Sequence, residues 1–272
     1  MTDRYAVVGN PVAHSLSPQI HSAFAAQTGE DIEYARLLAP QDGFVAEVEA
    51  FRKAGGRGLN ITLPFKLEAW TMATQRSERA EQAQAVNTLK FDGTEIFGDN
   101  TDGAGLVRDI EFNHGVSIAG KRVLLLGAGG AARGVMLSLI GRNPADLVVA
   151  NRTVEKAHGL AAHFSRWGRC TAASFEALGT AAFDLVINAT SASVAGALPP
   201  LRDGVFAAGS LAYDMMYGAK AQLFLDFSRE LGATKTADGL GMLVEQAAES
   251  FFLWRGVRPQ TAPVLSMLRS SR

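Results

Sequence analysis

Along most of its length the chain alternates short β-prone apolar runs with amphipathic helical stretches, the pattern of strands and helices taking turns. Tyr5 to Gly9 reads as a first strand. Ser17-Pro18 then opens a helix to about Thr28, with serine at the N-cap and proline at the first helical position. Strands are predicted at Ile32 to Leu38, Gly58 to Thr62 and Val86 to Phe91, with helical pattern at Gly43 to Ala54 and near Glu68 to Ala83. A helix over Ala104 to Asn113 leads to strands at Val123 to Leu126, Leu147 to Ala150, Asp184 to Asn188 and Leu211 to Met215. That alternation implies an α/β first region followed by a parallel, doubly wound sheet. A last helix, Gly239 to Trp254 and beyond, carries Leu243, Ala247, Phe251 and Trp254 on one stripe.

One strand-to-helix junction carries chemistry. After the aliphatic run Val123 to Leu126 comes Gly127-Ala128-Gly129-Gly130-Ala131-Ala132, which fits G-x-G-x-x-[GA] inside a βαβ unit. Gly127 permits the tight turn, Gly129 lets the backbone approach a pyrophosphate, and Ala132 keeps the helix close to the sheet. The amide hydrogens of the helix start then point at the anion. The next strand ends in Asn151-Arg152-Thr153, without the carboxylate that binds a ribose 2'-hydroxyl in NAD sites. Arg152 suits a 2'-phosphate instead, with Thr153 and Lys156 as further donors, so NADP is the expected cofactor.

Composition narrows the classes. The 272 residues, 47% hydrophobic, suffice for one large or two ordinary domains. A net charge of -1 and a sequence pI near 6.5 remove any global electrostatic case for nucleic acid or an anionic membrane. Cys170 is the single cysteine, the first residues lack the long apolar stretch of a signal peptide, and no run approaches the ~20 apolar residues of a membrane span. A cytoplasmic protein is expected. The five histidines show no metal-ligand spacing, no metal site is expected, and no G-x-S-x-G elbow occurs.

Several further segments occur in order: Gly9-Asn10-Pro11, Ser15-Leu16-Ser17-Pro18, Asn60-Ile61-Thr62-Leu63-Pro64-Phe65-Lys66, Ala85-Val86-Asn87-Thr88, Gly98-Asp99-Asn100-Thr101-Asp102-Gly103 and Ala237-Asp238-Gly239-Leu240-Gly241-Met242, on to Gln246. Together they resemble the shikimate dehydrogenase family over essentially the whole chain. The resemblance implies reversible NADP-linked reduction of 3-dehydroshikimate to shikimate, a step toward the aromatic amino acids. It also implies two α/β domains with the active site in the cleft between them. The boundaries expected are 1–101 plus 240–272 for the substrate domain and 102–239 for a Rossmann-like NADP domain. Small-molecule substrate and cofactor would be the partners, in a monomer or homodimer.

The family's site residues transfer position by position. Ser15 and Ser17 would bind the ring carboxylate, with Thr62 and Tyr217 nearby, and Ser17 doubles as an N-cap. Asn87, Asp102 and Gln246 would hold the ring hydroxyls. Lys66 is the catalytic position, paired with Asp102, as a general acid or as a fixed charge on the developing oxyanion. Thr190, Met215, Gly239 and Met242 would border the cofactor, and Glu78 is a cofactor position too, although a helical glutamate equally reads as a solvated face. Two departures touch the cofactor loops: Gln84 stands where a small residue is usual, and Ala192-Ser193-Val194 follows Ser191 where a glycine is usual. A broader quinate/shikimate dehydrogenase using NAD, and a catalytically silent NADP-binding sensor, are the alternatives. Arg152 and the Ser15-x-Ser17 pair argue against the first, and Lys66 with Asp102 against the second.

Overall fold

A computed structural model describes residues 2–190 and 197–270; Ser191 and Ala192-Ser193-Val194 lie outside the described residues. The chain divides into two compact units, 1–105 with 244–272, and 106–243. Each join falls within a helix, four residues beyond the boundaries expected at 101 and 239, because neither helix breaks where the chain changes unit.

The first unit opens with β1 (Asp3–Gly9), α1 (Ser17–Thr28), β2 (Ile32–Leu38), α2 (Phe44–Lys53), β3 (Gly56–Ile61), α3 (Lys66–Met72), β4 (Gln75–Arg76), α4 (Glu78–Ala83), β5 (Thr88–Asp92), β6 (Glu95–Asp99) and α5 (Asp102–Arg108). Its sheet is mixed, in the order β2-β1-β3-β5-β6-β4. β1 lies parallel between β2 and β3, while β5 runs antiparallel to β3 and to β6. The pairing of β5 with β6 through the turn at Gly93 is a hairpin that the alternation did not reveal. One face buries Ala6, Val8, Leu59, Ile61, Phe65, Val86 and Leu89 with Phe44 and Val48 of α2.

Two local expectations fail in this unit. Leu16, with helical φ and ψ of -84° and -7°, is the N-cap of α1, so Ser17 lies inside the helix and Pro18 in its first turn. The single helix expected over Glu68 to Ala83 is two helices, because Ala73 is extended and the Thr74 amide bonds Ile96 O at 2.9 Å. Pairing with the sheet overrides local periodicity there. Gln84 caps α4 in the left-handed region, φ 50°, with its side chain in solvent.

A π-helical turn over Asp109–Asn113 replaces the last part of the helix expected to Asn113. The second unit then runs β7 (Arg122–Leu126), α6 (Gly130–Ile140), β8 (Asp146–Ala150), α7 (Val154–Phe164), β9 (Thr171–Ala173), β10 (Phe183–Asn188), β11 (Phe206–Asp214), α8 (Ala219–Glu230) and β12 (Lys235–Asp238). All six strands are parallel, in the order β12-β11-β10-β7-β8-β9. Counted within the unit this is 3-2-1-4-5-6, the dinucleotide-binding order, with its reversal between β7 and β10. Val123, Leu125, Val149, Leu185, Ile187 and Leu211 pack on one face with α6 and α7, and Leu124, Leu126, Val186 and Ala212 on the other with α8. Burial on both faces explains why these strands read as continuous apolar runs.

α9 (Leu240–Arg255) and α10 (Thr261–Ser270) close the chain. From Val244 onward they belong to the first unit, where Trp254 packs with Tyr5, Val7, Val12 and Tyr34.

Candidate active site

In the first unit the polar residues picked out by sequence gather at the C-terminal ends of β1 and β3 and at the loops before α3 and α5. Gly9 ends β1 against Thr62, whose amide bonds Val8 O at 3.0 Å; a Cβ at Gly9 would strike the Thr62 methyl. Thr62 O in turn accepts the Phe65 amide at 3.1 Å, a tight turn that delivers Lys66 as the first residue of α3. Phe65 anchors that turn in the core, stacked on Phe44.

Lys66 Nζ donates to Asp102 Oδ2 at 2.5 Å, the lysine side chain 29% and the aspartate 14% exposed. Asn87 Nδ2 donates to the other carboxylate oxygen, Oδ1, at 2.8 Å, and lies 3.3 Å from Gln246 Oε1. One oxygen of Asp102 therefore faces a cation and the other a neutral donor. Ser15 and Ser17 form a second pair, their hydroxyls 3.2 Å apart, with the Ser17 amide donating to Ser15 Oγ at 3.3 Å. The Arg36 guanidinium holds that loop through Ser15 O, at 2.7 and 3.2 Å.

The loop carrying Asp102 is pinned by a buried carboxylate just upstream. Asp99 accepts from Arg79 Nε at 2.7 Å, Arg79 Nη2 at 2.5 Å, Ser77 Oγ at 2.5 Å and the Asn100 amide at 2.8 Å. Burial pushes its carboxyl up, but the Arg79 fork, Ser77 and the Asn100 amide together hold it below the ordinary 3.8. Glu78, one residue before Arg79, opens α4 with its side chain in solvent.

In the second unit the remaining residues cluster where the strands end. Gly127 adopts φ 106° and donates its amide to Ala150 O at 2.7 Å; a Cβ there would stand 3.2 Å from Ala189 O, so the turn requires glycine. Gly129 caps α6 and Gly130 begins it, and a Cβ on either would meet nothing within 4 Å. Beside them Thr190 Oγ1 donates to Asn188 Oδ1 at 2.7 Å. Asn188 Nδ2 donates to Asp214 Oδ2 at 2.8 Å, and Asp214 Oδ1 accepts the Met216 amide at 2.8 Å. Met216 O accepts the Gly239 amide at 2.8 Å, and Gly239 lies so close to Met215 that a Cβ would sit 2.7 Å from its carbonyl carbon. These bonds align the loops after β10, β11 and β12, bringing Thr190, Met215 and Gly239 together.

Arg152, Thr153 and Lys156 project into solvent from the end of β8 and the start of α7, and Asn151 Nδ2 bonds Thr153 O at 2.8 Å. Ala128 and Ala131 flank the two glycines on the same turn, and Met242 is buried in the core. Tyr217, grouped by resemblance with the substrate residues, is half-buried two residues past Met215 in the second unit. Among the described residues no cluster of His, Cys, Asp and Glu could hold a metal ion.

The sequence reading passed over Thr88, Thr101 and Ser250, three buried hydroxyls packed around Asn87. Ser250 stands four positions after Gln246 on α9, on the same helical face, and that spacing was the available signal.

Three family models match the chain: the shikimate dehydrogenase substrate binding domain over 7–89, shikimate / quinate 5-dehydrogenase over 110–195, and the shikimate 5'-dehydrogenase C-terminal domain over 239–268. A shikimate dehydrogenase (NADP(+)) of Nitrosospira multiformis is 60% identical, the match covering 100% of this chain and 98% of that one. Among solved structures, an Ael1 enzyme from Pseudomonas putida is 48% identical with TM-score 0.94, covering 98% of each chain. A shikimate 5-dehydrogenase from Thermus thermophilus, in complex with NADP(H) and shikimate, is 32% identical with TM-score 0.87, covering 100% of each.

Proposed function

We propose a reaction on the premise that the comparisons establish: this chain belongs to the shikimate dehydrogenase family. It is an NADP-linked oxidoreductase that interconverts 3-dehydroshikimate and shikimate. The observation that carries the residue assignment is the Lys66–Asp102 pair, bonded through Asn87 toward Gln246 within one unit.

The second unit suits the cofactor. Gly129 and Gly130 leave open space over the start of α6, where backbone amides can approach a pyrophosphate, and Gly127 takes a turn closed to other residues. An exposed Arg152 with Thr153 and Lys156 would grip the 2'-phosphate, and Thr190, Met215, Gly239 and Met242 would border the nicotinamide. When bound, NADPH supplies the hydride that reduces the substrate ketone.

The first unit handles the proton and the ring. Lys66 presents its ammonium to the carbonyl oxygen, which gains negative charge as the hydride reaches the ring carbon, takes up a proton, and stays on the ring as a hydroxyl. Asp102 holds Nζ in place and accepts from a ring hydroxyl, with Asn87 and Gln246 binding its neighbours. Ser15 and Ser17 take the carboxylate, with Thr62 beside them in the same unit, and Tyr217 is the substrate residue assigned to the second unit. We also place the enzyme in the cytoplasm, on its single cysteine, with small molecules as partners and a monomeric or homodimeric state. No helix among the described residues is long and apolar enough to cross a membrane.

The test is a set of initial rates with shikimate and quinate, each with NADP and NAD, together with a Lys66→Ala variant. Shikimate with NADP should dominate, and Lys66→Ala should lose turnover while binding NADP. Preferred quinate oxidation with NAD overturns the assignment, and a wild type that binds NADP without turnover replaces it with a sensor.

A further inference from the structure

Asn87 is held on all sides. Its Oδ1 accepts the Thr101 backbone amide at 2.9 Å and the Thr88 hydroxyl at 2.9 Å. Its Nδ2 donates to Thr101 Oγ1 at 2.9 Å and to Asp102 Oδ1 at 2.8 Å. A backbone N–H only donates and an ionised carboxylate only accepts. These two partners have fixed polarity, so a flipped Asn87 amide would meet a donor with a donor and an acceptor with an acceptor.

The hydroxyls complete the cage. Thr101 Oγ1 accepts from Asn87 Nδ2 and has two acceptors in reach of its own hydrogen, Asn87 Oδ1 at 3.2 Å and Gln246 Oε1 at 3.3 Å. Ser250 Oγ lies 2.7 Å from Thr88 Oγ1 and 3.3 Å from Thr101 Oγ1, and accepts Asn60 Nδ2 at 3.0 Å. Tyr34 donates to Asn60 Oδ1 at 2.7 Å, closing the far end of the chain. All of these groups are buried, so water cannot substitute for a missing partner.

We propose that Thr101, backed by Ser250, is a positioning residue for this reaction: its hydroxyl and amide together fix the polarity of Asn87 and Gln246, the two amides that hold the ring hydroxyls. The inference rests on the function proposed above. Thr101 acts through Asn87, which then presents hydrogen to Asp102 Oδ1 and leaves Oδ2 to Lys66. Without the Thr101 hydroxyl, Asn87 Nδ2 and Gln246 Oε1 each lose a partner and both amides are held less firmly, while the Thr101 N–H and Asp102 still set which way Asn87 faces.

The experiment measures kcat and KM for 3-dehydroshikimate in Thr101→Val, Thr101→Ser and Ser250→Ala, each in the wild-type and Asn87→Ala backgrounds, with melting temperature and NADP affinity alongside. Thr101→Val should lower kcat/KM about five- to tenfold, the worth of a neutral hydrogen bond, with NADP affinity unchanged. Thr101→Ser should restore most of the loss, and in the Asn87→Ala background Thr101→Val should cost less than about twofold. Ser250→Ala should follow the same pattern more weakly and serves where Thr101→Val fails to fold. An equal loss in both backgrounds makes the residues merely structural and overturns the proposal, as does an unchanged rate. A wild type inactive on 3-dehydroshikimate overturns the functional reading itself, a different result from an active wild type with an indifferent Thr101.

Discussion

Arg79→Met isolates the anchor that holds the Asp102 loop. The substitution removes both guanidinium bonds to Asp99, whose side chain is only 5% exposed. A buried carboxylate stripped of its partner costs about 3–5 kcal/mol. Two donors, the Ser77 hydroxyl and the Asn100 amide, remain on Asp99 Oδ1, and Arg79 itself is 27% exposed, so the lower end applies: about 3 kcal/mol, or roughly 6–12 °C of melting temperature. The sign of the pH dependence follows from the carboxyl held below its ordinary 3.8. The pair's contribution is present above that value and lost as pH falls through the lower folded-state value. Urea unfolding read by fluorescence, where Trp70 and Trp254 report on the first unit, should show the wild-type advantage at pH 7 shrinking steadily below about pH 4. A second variant, Arg79→Met with Asp99→Asn, should recover part of the loss, since an amide is cheaper to bury than a lone carboxylate. A difference under about 1 kcal/mol at pH 7, the level of an exposed ion pair, or one that stays constant into acid, would refute the reasoning.

Lys66→Met should lower kcat about 10²- to 10⁴-fold while NADP titration is unchanged, and a loss under threefold removes the lysine from the chemistry. Arg152→Ala should weaken NADP roughly 10- to 150-fold with NAD barely affected, and the gap should narrow as salt is added. Gly129→Ala should keep its melting temperature and lose NADP binding, whereas Gly127→Ala, at φ 106°, should lose stability in the absence of any ligand; identical behaviour contradicts the cradle. His21 is stacked on Tyr34 at 4.3 Å, and burial drives it to about 3 from 6.5 against the opposing influence of the Asn60 side chain. The unfolded chain binds that proton first, so stability should fall as pH drops from 6.5 toward 3, by up to about 1.4 kcal/mol per unit, and His21→Phe should flatten that slope in chemical unfolding.

The second unit was the more legible of the two because its cofactor features are written in backbone and in burial. Strands covered on both faces appear as uninterrupted aliphatic runs, and a turn that only glycine can make appears as glycine. Strand–helix alternation implied a parallel, doubly wound sheet, and the six parallel strands bear that out, although their order about the β7–β10 reversal comes from the structure. Of the elements that were missed, several are short and depend on partners: β4 has two residues, β9 three, and β12 exists by pairing with β11. The π-helical turn at Asp109–Asn113 was equally hidden. Asp109, fully buried, accepts the Tyr213 hydroxyl at 2.6 Å and Asn113 Nδ2 at 2.8 Å, and a Cβ on Gly241 would collide with it. Nothing in the periodicity of residues 104 to 113 anticipates those partners.

In the first unit the limit of legibility is of another kind. Resemblance to the family's motifs named Asn87, Asp102 and Gln246, each of which alone reads as a turn or surface group. It left their orientation open. An amide can face either way, and what decides is a peptide N–H at Thr101 and the carboxylate of Asp102, around which the hydroxyls of Thr88 and Ser250, from a strand and a helix far apart in the chain, then settle. Serine and threonine are common enough in turns, caps and helix interiors that none of the three is conspicuous alone. A hydroxyl both donates and accepts, so its identity in sequence says nothing about which it does; only the fixed donors and acceptors around it settle that. A site that distinguishes one face of a polyhydroxylated ring from another depends on that settled polarity. The ligands of such a site can therefore be spelled out one by one while the arrangement that makes them selective exists only after folding.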